Sequence, residues 1–147
     1  LYRQAMFAEF EKKIYEEAEK GKSLTSDLLN NIYRNLNIEW FGKDMFIDEH
    51  ISYEWARIPH FYFNFYVFQY STSFTASTML AESMLSGGDE MIRQYIDFLS
   101  SGSSDYAIPT LKTVGIDMTT SEPFEVTMAR MNRVMDEIET VLDELEK

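Results

Sequence analysis

The segment Ile58-Pro-His-Phe-Tyr-Phe-Asn-Phe-Tyr-Val-Phe-Gln-Tyr-Ser-Thr-Ser-Phe74 constrains this chain more than any other part of it. No formal charge occurs between Arg57 and Glu82, and most positions from Phe61 to Tyr70 are aromatic. Rings at that density have to be packed on several sides. Read as a helix from Phe61 onward, at about 100° per residue, the segment gathers Tyr62, Tyr66, Gln69, Tyr70, Ser73 and Ser77 into one stripe of hydroxyls and an amide. Phe61, Phe65, Phe68 and Met79 fall on a second side, with Phe63, Val67 and Phe74 on a third. A helix that is apolar nearly all round is buried in a large protein or a membrane. The uncharged span is long enough for a bilayer, but Asn64, Gln69 and the run of Ser and Thr argue against one, and buried tyrosines need partners for their hydroxyls. Two readings of the stripe stay open on these grounds. It is either a set of core hydroxyls satisfied by backbone or water, or the wall of a cleft that hydrogen-bonds a substrate.

The rest of the chain reads as helices around this segment. Tyr2, Met6, Phe10, Ile14 and Ala18 share a helical spacing, with Glu11, Lys12, Lys13, Glu16 and Glu17 in the other positions, and Gly21 stops that helix. Thr25 or Ser26 caps a second helix carrying Leu28, Leu29, Ile32, Tyr33 and Leu36, which ends at Trp40-Phe41-Gly42. The stretch from Lys43 to Ser52 shows no clear period and is expected to be an irregular connection with room for one short turn. Tyr53, Trp55 and Ile58 lead into the aromatic helix, where Pro59 suits a helix start. That helix is expected to reach Ser86, be broken by Gly87-Gly88, and be followed by a shorter one holding Met91, Ile92, Tyr95, Ile96 and Leu99. Asp105 to Pro109 opens a brief helix closed by Gly115. Ser121 and Pro123 start the last helix, whose apolar residues Phe124, Met128, Met131, Met135, Ile138, Leu142 and Leu145 alternate by four and three. This is either a coiled-coil seam or a helix laid along a bundle. No stretch alternates with a period of two, so the expected class is all-α: a multi-helix bundle in which residues 1–147 form a single helical unit.

A net charge of −12 argues against nucleic acid and anionic membranes as partners. With no cysteine there is neither a disulfide frame nor thiol catalysis, in keeping with a reducing, cytoplasmic compartment. The chain opens on Leu1-Tyr-Arg-Gln inside a helical pattern, with no capping residue and no signal peptide, and is expected to be a piece of something longer. Its only histidines are His50 and His60, and no H-E-x-x-H occurs. A zinc site drawn from Asp48, Glu49 and His50 is a weaker reading than an acidic surface turn, since adjacent residues do not converge on one ion without a turn built for it. No phosphate loop, nucleophilic serine elbow or acid/base carboxylate pair is legible near the aromatic segment.

The run Trp55-Ala-Arg-Ile-Pro-His-Phe-Tyr-Phe-Asn-Phe-Tyr-Val-Phe-Gln-Tyr70 closely resembles the C-terminal part of the oligoendopeptidase F family, zinc oligopeptidases related to thimet oligopeptidase. Arg3-Gln-Ala-Met-Phe-Ala-Glu-Phe-Glu11, Gly102-Ser-Ser-Asp-Tyr106 and Val114-Gly-Ile-Asp-Met118 agree with it in the same order. The resemblance implies an all-helical region forming one wall of a catalytic cleft that acts on short peptides. It implies that the zinc is held by an H-E-x-x-H helix and a further Glu upstream of Leu1, so that this chain binds no metal itself and has the upstream part of the enzyme as its partner. What it carries over to these residues is the substrate side: His60, Tyr66 and Tyr70 as catalytic groups, and His60, Tyr62, Tyr66 and Tyr70 as substrate-binding groups. Phe63 and Phe68 stand where many relatives of the family have tyrosines, and the resemblance to more distant thimet-type enzymes implies a catalytic hydroxyl at the place of Phe68, so either Tyr66 or Tyr70 supplies that donor or the enzyme is impaired. In a continuous helix His60 would point away from the tyrosine stripe. It serves the substrate only if the helix starts after it; otherwise it is structural. The competing class is a non-enzymatic interaction module that assembles through the last helix. Outside its parent, the chain is expected to expose its aromatic segment or bury it by self-association.

Overall fold

The computed structural model describes residues 1–146, and no strand occurs among them. The all-α class expected from the sequence is what is found. The chain divides into two compact units, Leu1–Ser71 and a second that begins at Thr72.

In the first unit, α1 (Tyr2–Glu19) and α2 (Ser26–Phe41) are antiparallel neighbours in sequence joined by a short loop at Gly21, whose φ of 77° is a left-handed value that glycine adopts without penalty. Thr25 caps α2 by accepting the Leu28 amide, and Gly42 follows its last turn. A 3-10 helix, Glu49–Arg57, and a shorter 3-10 turn, Pro59–Tyr62, then cover the pair. The irregular connection expected up to Ser52 is thus regular from Glu49 onward, because the Asp48 carboxylate accepts the His50 amide at 2.6 Å and caps the turn.

The core of this unit is Met6, Phe7, Phe10, Leu29, Tyr33, Leu36, Ile58, Phe61 and Val67. Its rings meet edge to face, Phe10 with Tyr33 at 5.1 Å and with Phe61 at 5.0 Å, and Phe7 with Phe61 at 5.3 Å, the arrangement that quadrupolar faces prefer. The face of α1 that is buried is therefore centred on Met6, Phe7, Phe10 and Glu11, rotated from the stripe through Ile14 and Ala18. Tyr33, fully buried, donates its hydroxyl to Glu54 Oε2 at 2.6 Å, and the same carboxylate takes Arg57 at 2.6 Å and Arg3. Burial alone would raise the Glu54 pKa, but the Tyr33 and Arg3 bonds outweigh it and hold it below the ordinary value.

The aromatic helix starts later than its periodicity predicts. Asn64 and Phe65 sit at φ 45° and 56°, and α3 begins only at Phe68. A left-handed residue with a side chain costs roughly 1–2 kcal/mol, which propensity alone would never select for a phenylalanine. The turn exists because α1 holds it: the Phe65 amide donates to Glu11 Oε1 at 2.6 Å, and the Phe65 ring lies on Tyr15 at 4.4 Å.

The second unit contains the continuation of α3, which runs to Ser100 with a break at Gly88 (φ 62°, ψ −157°), where the glycine pair was expected to interrupt it. It also holds α4 (Ala107–Lys112) and α5 (Glu122–Leu145), the latter opened by Ser121 and Pro123. Its core is Ala76, Met79, Val114 and Ile116, with Leu80, Met91, Phe98, Leu111, Met118 and Val126 packed around them. Thr127 of α5, buried, donates its hydroxyl to Pro123 O at 2.8 Å. The four-and-three stripe of α5 is not the face that packs here: Pro123 and Thr127 are buried, whereas Phe124, Met135, Ile138, Leu142 and Leu145 are exposed.

Candidate functional site

The left-handed turn decides where the polar aromatics point. Pro59 starts a 3-10 turn that carries His60 and buries Phe61 against α1, and the chain then reverses through Asn64 and Phe65. Two bonds of the i, i+3 kind, Gln69 N to Tyr66 O at 3.3 Å and Tyr70 N to Val67 O at 3.2 Å, lead into α3. Tyr66 and Tyr70 therefore stay side by side although only Tyr70 belongs to the helix.

This backbone brings His60, Tyr66 and Tyr70 together. His60 Nε2 and the Tyr70 hydroxyl are 2.9 Å apart. The His60 ring stacks on Tyr66 at 5.7 Å and 14°, and stands edge-on to Tyr70 at 5.2 Å. Tyr66 and Tyr70 meet at 5.9 Å and 76°, while Phe63 closes one side with contacts to His60 and Tyr66 at 6.4 and 6.3 Å. Because the helix starts after His60, the imidazole faces the tyrosines. Tyr62 is 69% exposed and takes no part in these ring contacts, so the single stripe from Tyr62 through Ser77 does not form.

The cluster is open to solvent, with Tyr66 41% and Tyr70 43% exposed. Desolvation and the adjacent Tyr66 hydroxyl push the Tyr70 phenol above its ordinary value, so it is protonated at neutral pH and available as a donor. Phe68, at the first position of α3, contributes an exposed ring and no hydroxyl. What such a surface can do is hydrogen-bond a peptide's polar groups from one side with two phenols and an imidazole while offering aromatic faces to its side chains.

Sequence reasoning missed Glu11, which it assigned to the polar side of α1. The carboxylate is 1% exposed and accepts backbone hydrogen bonds from Phe65 and Val67, the residues on either side of Tyr66. The available signal was its spacing: Glu11 is one turn beyond Phe7 and adjacent to Phe10, on the aromatic face of the helix.

Among the described residues, no group of three or more His, Cys, Asp or Glu side chains is placed to hold a metal ion. Asp48 is engaged in capping the turn that contains Glu49 and His50. The zinc implied by the family resemblance therefore has no matching donor set in these residues. No helix among them is long and apolar enough to cross a membrane.

Residues 1–130 match the model of peptidase family M3. The chain belongs to peptidase family M3. Among curated M3-type relatives, it is 46% identical over 142 residues to oligopeptidase PepF of Bacillus subtilis, a match covering 97% of this chain and 21% of that protein. It is 39% identical over 143 residues to the plasmid-encoded oligoendopeptidase F of Lactococcus lactis subsp. cremoris, covering 97% of this chain and 24% of that one. The crystal structure of oligoendopeptidase-F from Enterococcus faecium superposes with a TM-score of 0.91 at 41% identity, over 98% of this chain and 28% of that one. A putative peptidase from Chlamydophila abortus superposes with a TM-score of 0.85 at 40% identity, over 95% of this chain and 24% of that one. The chain thus spans about a quarter of the length of the curated relatives it matches.

Proposed function

We propose that this chain is the C-terminal part of the catalytic domain of a cytoplasmic zinc endopeptidase that hydrolyses short peptides, and that residues 1–147 act there as one helical unit supplying the substrate-binding wall. The observation that carries this is the contact cluster of His60, Tyr66 and Tyr70 on an exposed surface of an M3 family chain. When a peptide carbonyl is attacked, negative charge develops on its oxygen, and preorganised donors aimed at that oxygen lower the barrier without having to reorganise. Tyr66 and Tyr70 are such donors in neighbouring positions, and the His60–Tyr70 hydrogen bond fixes the second hydroxyl and the imidazole relative to each other. Tyr62, apart from the cluster, binds the peptide further along its length. The metal and its general base belong to the portion of the enzyme outside this chain, which is its obligatory partner. In the full-length enzyme, His60→Gln is expected to lower kcat/KM on short peptides by roughly a hundredfold while leaving metal content unchanged. Unchanged kcat/KM would remove His60 from the site.

A second reading, an interaction module that assembles through its last helix, is favoured by one observation: Ile138, Leu142 and Leu145 of α5 are more than half exposed on a continuous stripe. Kinetics of the His60 variant separate the two, since an assembly module has no turnover for it to affect.

A further inference from the structure

The cluster described above sits on a turn that its own sequence disfavours, and a single buried carboxylate on another helix spans that turn. Glu11 projects from α1 at 1% exposure and accepts the backbone amides of Phe65, at 2.6 Å, and of Val67. Tyr66 lies between those two residues. With the Phe65 and Val67 amides both directed at one carboxylate, the peptide planes 64–65 and 66–67 are held, and the backbone of Tyr66 lies between these two anchored planes. The left-handed conformations of Asn64 and Phe65 immediately precede this point, and Val67 is itself locked in the core at 1% exposure. The Phe65 ring on Tyr15 ties the same turn to α1 a second time. Desolvation pushes the Glu11 pKa up, and the two amides oppose that shift. A carboxylate is costly to place here, and an apolar residue of similar size would fill the space at less cost. Its placement is explained by what it holds.

We propose that Glu11 is the positioning residue of the His60–Tyr66–Tyr70 cluster: by clamping the amides on both sides of Tyr66 it aims the Tyr66 hydroxyl at the substrate oxygen. This rests on the substrate-binding role proposed above for the cluster. Glu11 touches no substrate and acts only through the Tyr66 backbone. A carboxylate accepts both amides, whereas a glutamine of the same volume has one acceptor oxygen and turns an amide N–H toward the second donor. Loosening one side of the clamp lets Tyr66 swing, and small misplacements of a catalytic group cost disproportionately in rate.

The test is a double-mutant cycle in the full-length enzyme, combining Glu11→Gln with Tyr66→Phe and reading kcat, KM and the unfolding midpoint. Glu11→Gln is expected to lower kcat roughly tenfold to a hundredfold with KM nearly unchanged, and to cause almost no further loss in the Tyr66→Phe background, because the group it aims is already gone. Additive losses, or an altered unfolding midpoint with kcat unchanged, overturn the positioning role while leaving the cluster's role intact. If Tyr66→Phe alone leaves kcat unaltered, the reading of the cluster fails and the inference fails with it, so the two failures are told apart by which single variant is silent. Should Glu11→Gln not fold, amide hydrogen exchange on the unaltered enzyme decides. Protection of the Phe65 and Val67 amides at the level of the α1 backbone supports the clamp, and exchange at the rate of exposed loop amides overturns it.

Discussion

Replacing Tyr66 by Phe in the full-length enzyme deletes one hydroxyl and leaves the ring, and the geometry allows both consequences to be worked out. The ring keeps its stack on His60 at 5.7 Å and its edge contact with Tyr70 at 5.9 Å, so packing is conserved. Tyr66 is 41% exposed, so water takes over whatever hydrogen bonds the hydroxyl makes in the resting protein. The stability loss is then at most about 1 kcal/mol, the net value of a replaceable hydrogen bond. In the proposed role, the same hydroxyl faces a developing oxyanion in the transition state, in a surface covered by the substrate. Removing one such donor costs about 3 kcal/mol, on the order of a hundredfold in kcat. The assay is steady-state hydrolysis of a short internally quenched peptide, with thermal unfolding recorded on the same preparation. The expected outcome is a large loss of kcat, a small change in KM, and an unfolding midpoint close to that of the unaltered enzyme. A kcat within experimental error of the parent, whatever happens to stability, would refute the assignment of Tyr66 to the oxyanion.

Other predictions follow from the scaffold. Tyr33→Phe removes the 2.6 Å bond from a fully buried phenol to Glu54 and is expected to cost about 2 kcal/mol in chemical denaturation, the range for a hydrogen bond to a charged group. The Asp117 carboxyl is held at about 2, below its usual 3.8, by bonds from Thr119 and by Lys112. A depressed folded-state value means that its contribution is complete above pH 4 and is lost as pH falls toward 2, so Asp117→Asn is expected to flatten acid unfolding in that window. On its own, the 147-residue chain is expected to self-associate through Tyr62, Phe63, Phe65, Phe68 and Phe74, all about half exposed or more. Sedimentation across a concentration series checks this, and a strict monomer that binds no hydrophobic dye would contradict it.

Most element boundaries were legible because their causes are local. Gly21, the Thr25 cap, Gly42, the Gly87-Gly88 break and the Ser121-Pro123 start each act within a turn of themselves, and the structure puts ends at those places. The start of α3 was not legible, because its cause lies 54 residues away. Periodicity carried the helix back to Phe61; Asn64 tolerates the left-handed region, but nothing local announces that Phe65 adopts it as well. The Glu11 carboxylate and the Tyr15 ring, both brought in by α1, stabilise that turn. The error had a consequence for the site. A continuous helix put His60 on the wrong side and Tyr62 on the right one, whereas the turn brings His60 to 2.9 Å from Tyr70 and leaves Tyr62 apart. Strain at a functional surface, compensated from elsewhere in the chain, is where local reasoning is expected to fail. The apolar stripe of α5 differs for another reason: its spacing is regular, but Pro123 and Thr127 are the buried residues of the helix and Phe124, Met135, Ile138, Leu142 and Leu145 remain exposed.

The central claim is that Tyr66 and Tyr70 are the donors to the oxyanion, and it is tested most directly by a structure of the full-length enzyme with a bound peptide analogue whose scissile carbonyl is replaced by a tetrahedral oxyanion. The account predicts at least one of the Tyr66 and Tyr70 hydroxyls within about 2.7–3.1 Å of the analogue's charged oxygen, with Glu11 still accepting the amides of Phe65 and Val67. An analogue seated with both hydroxyls beyond about 3.5 Å, and its oxygen held by groups outside this chain, would contradict it.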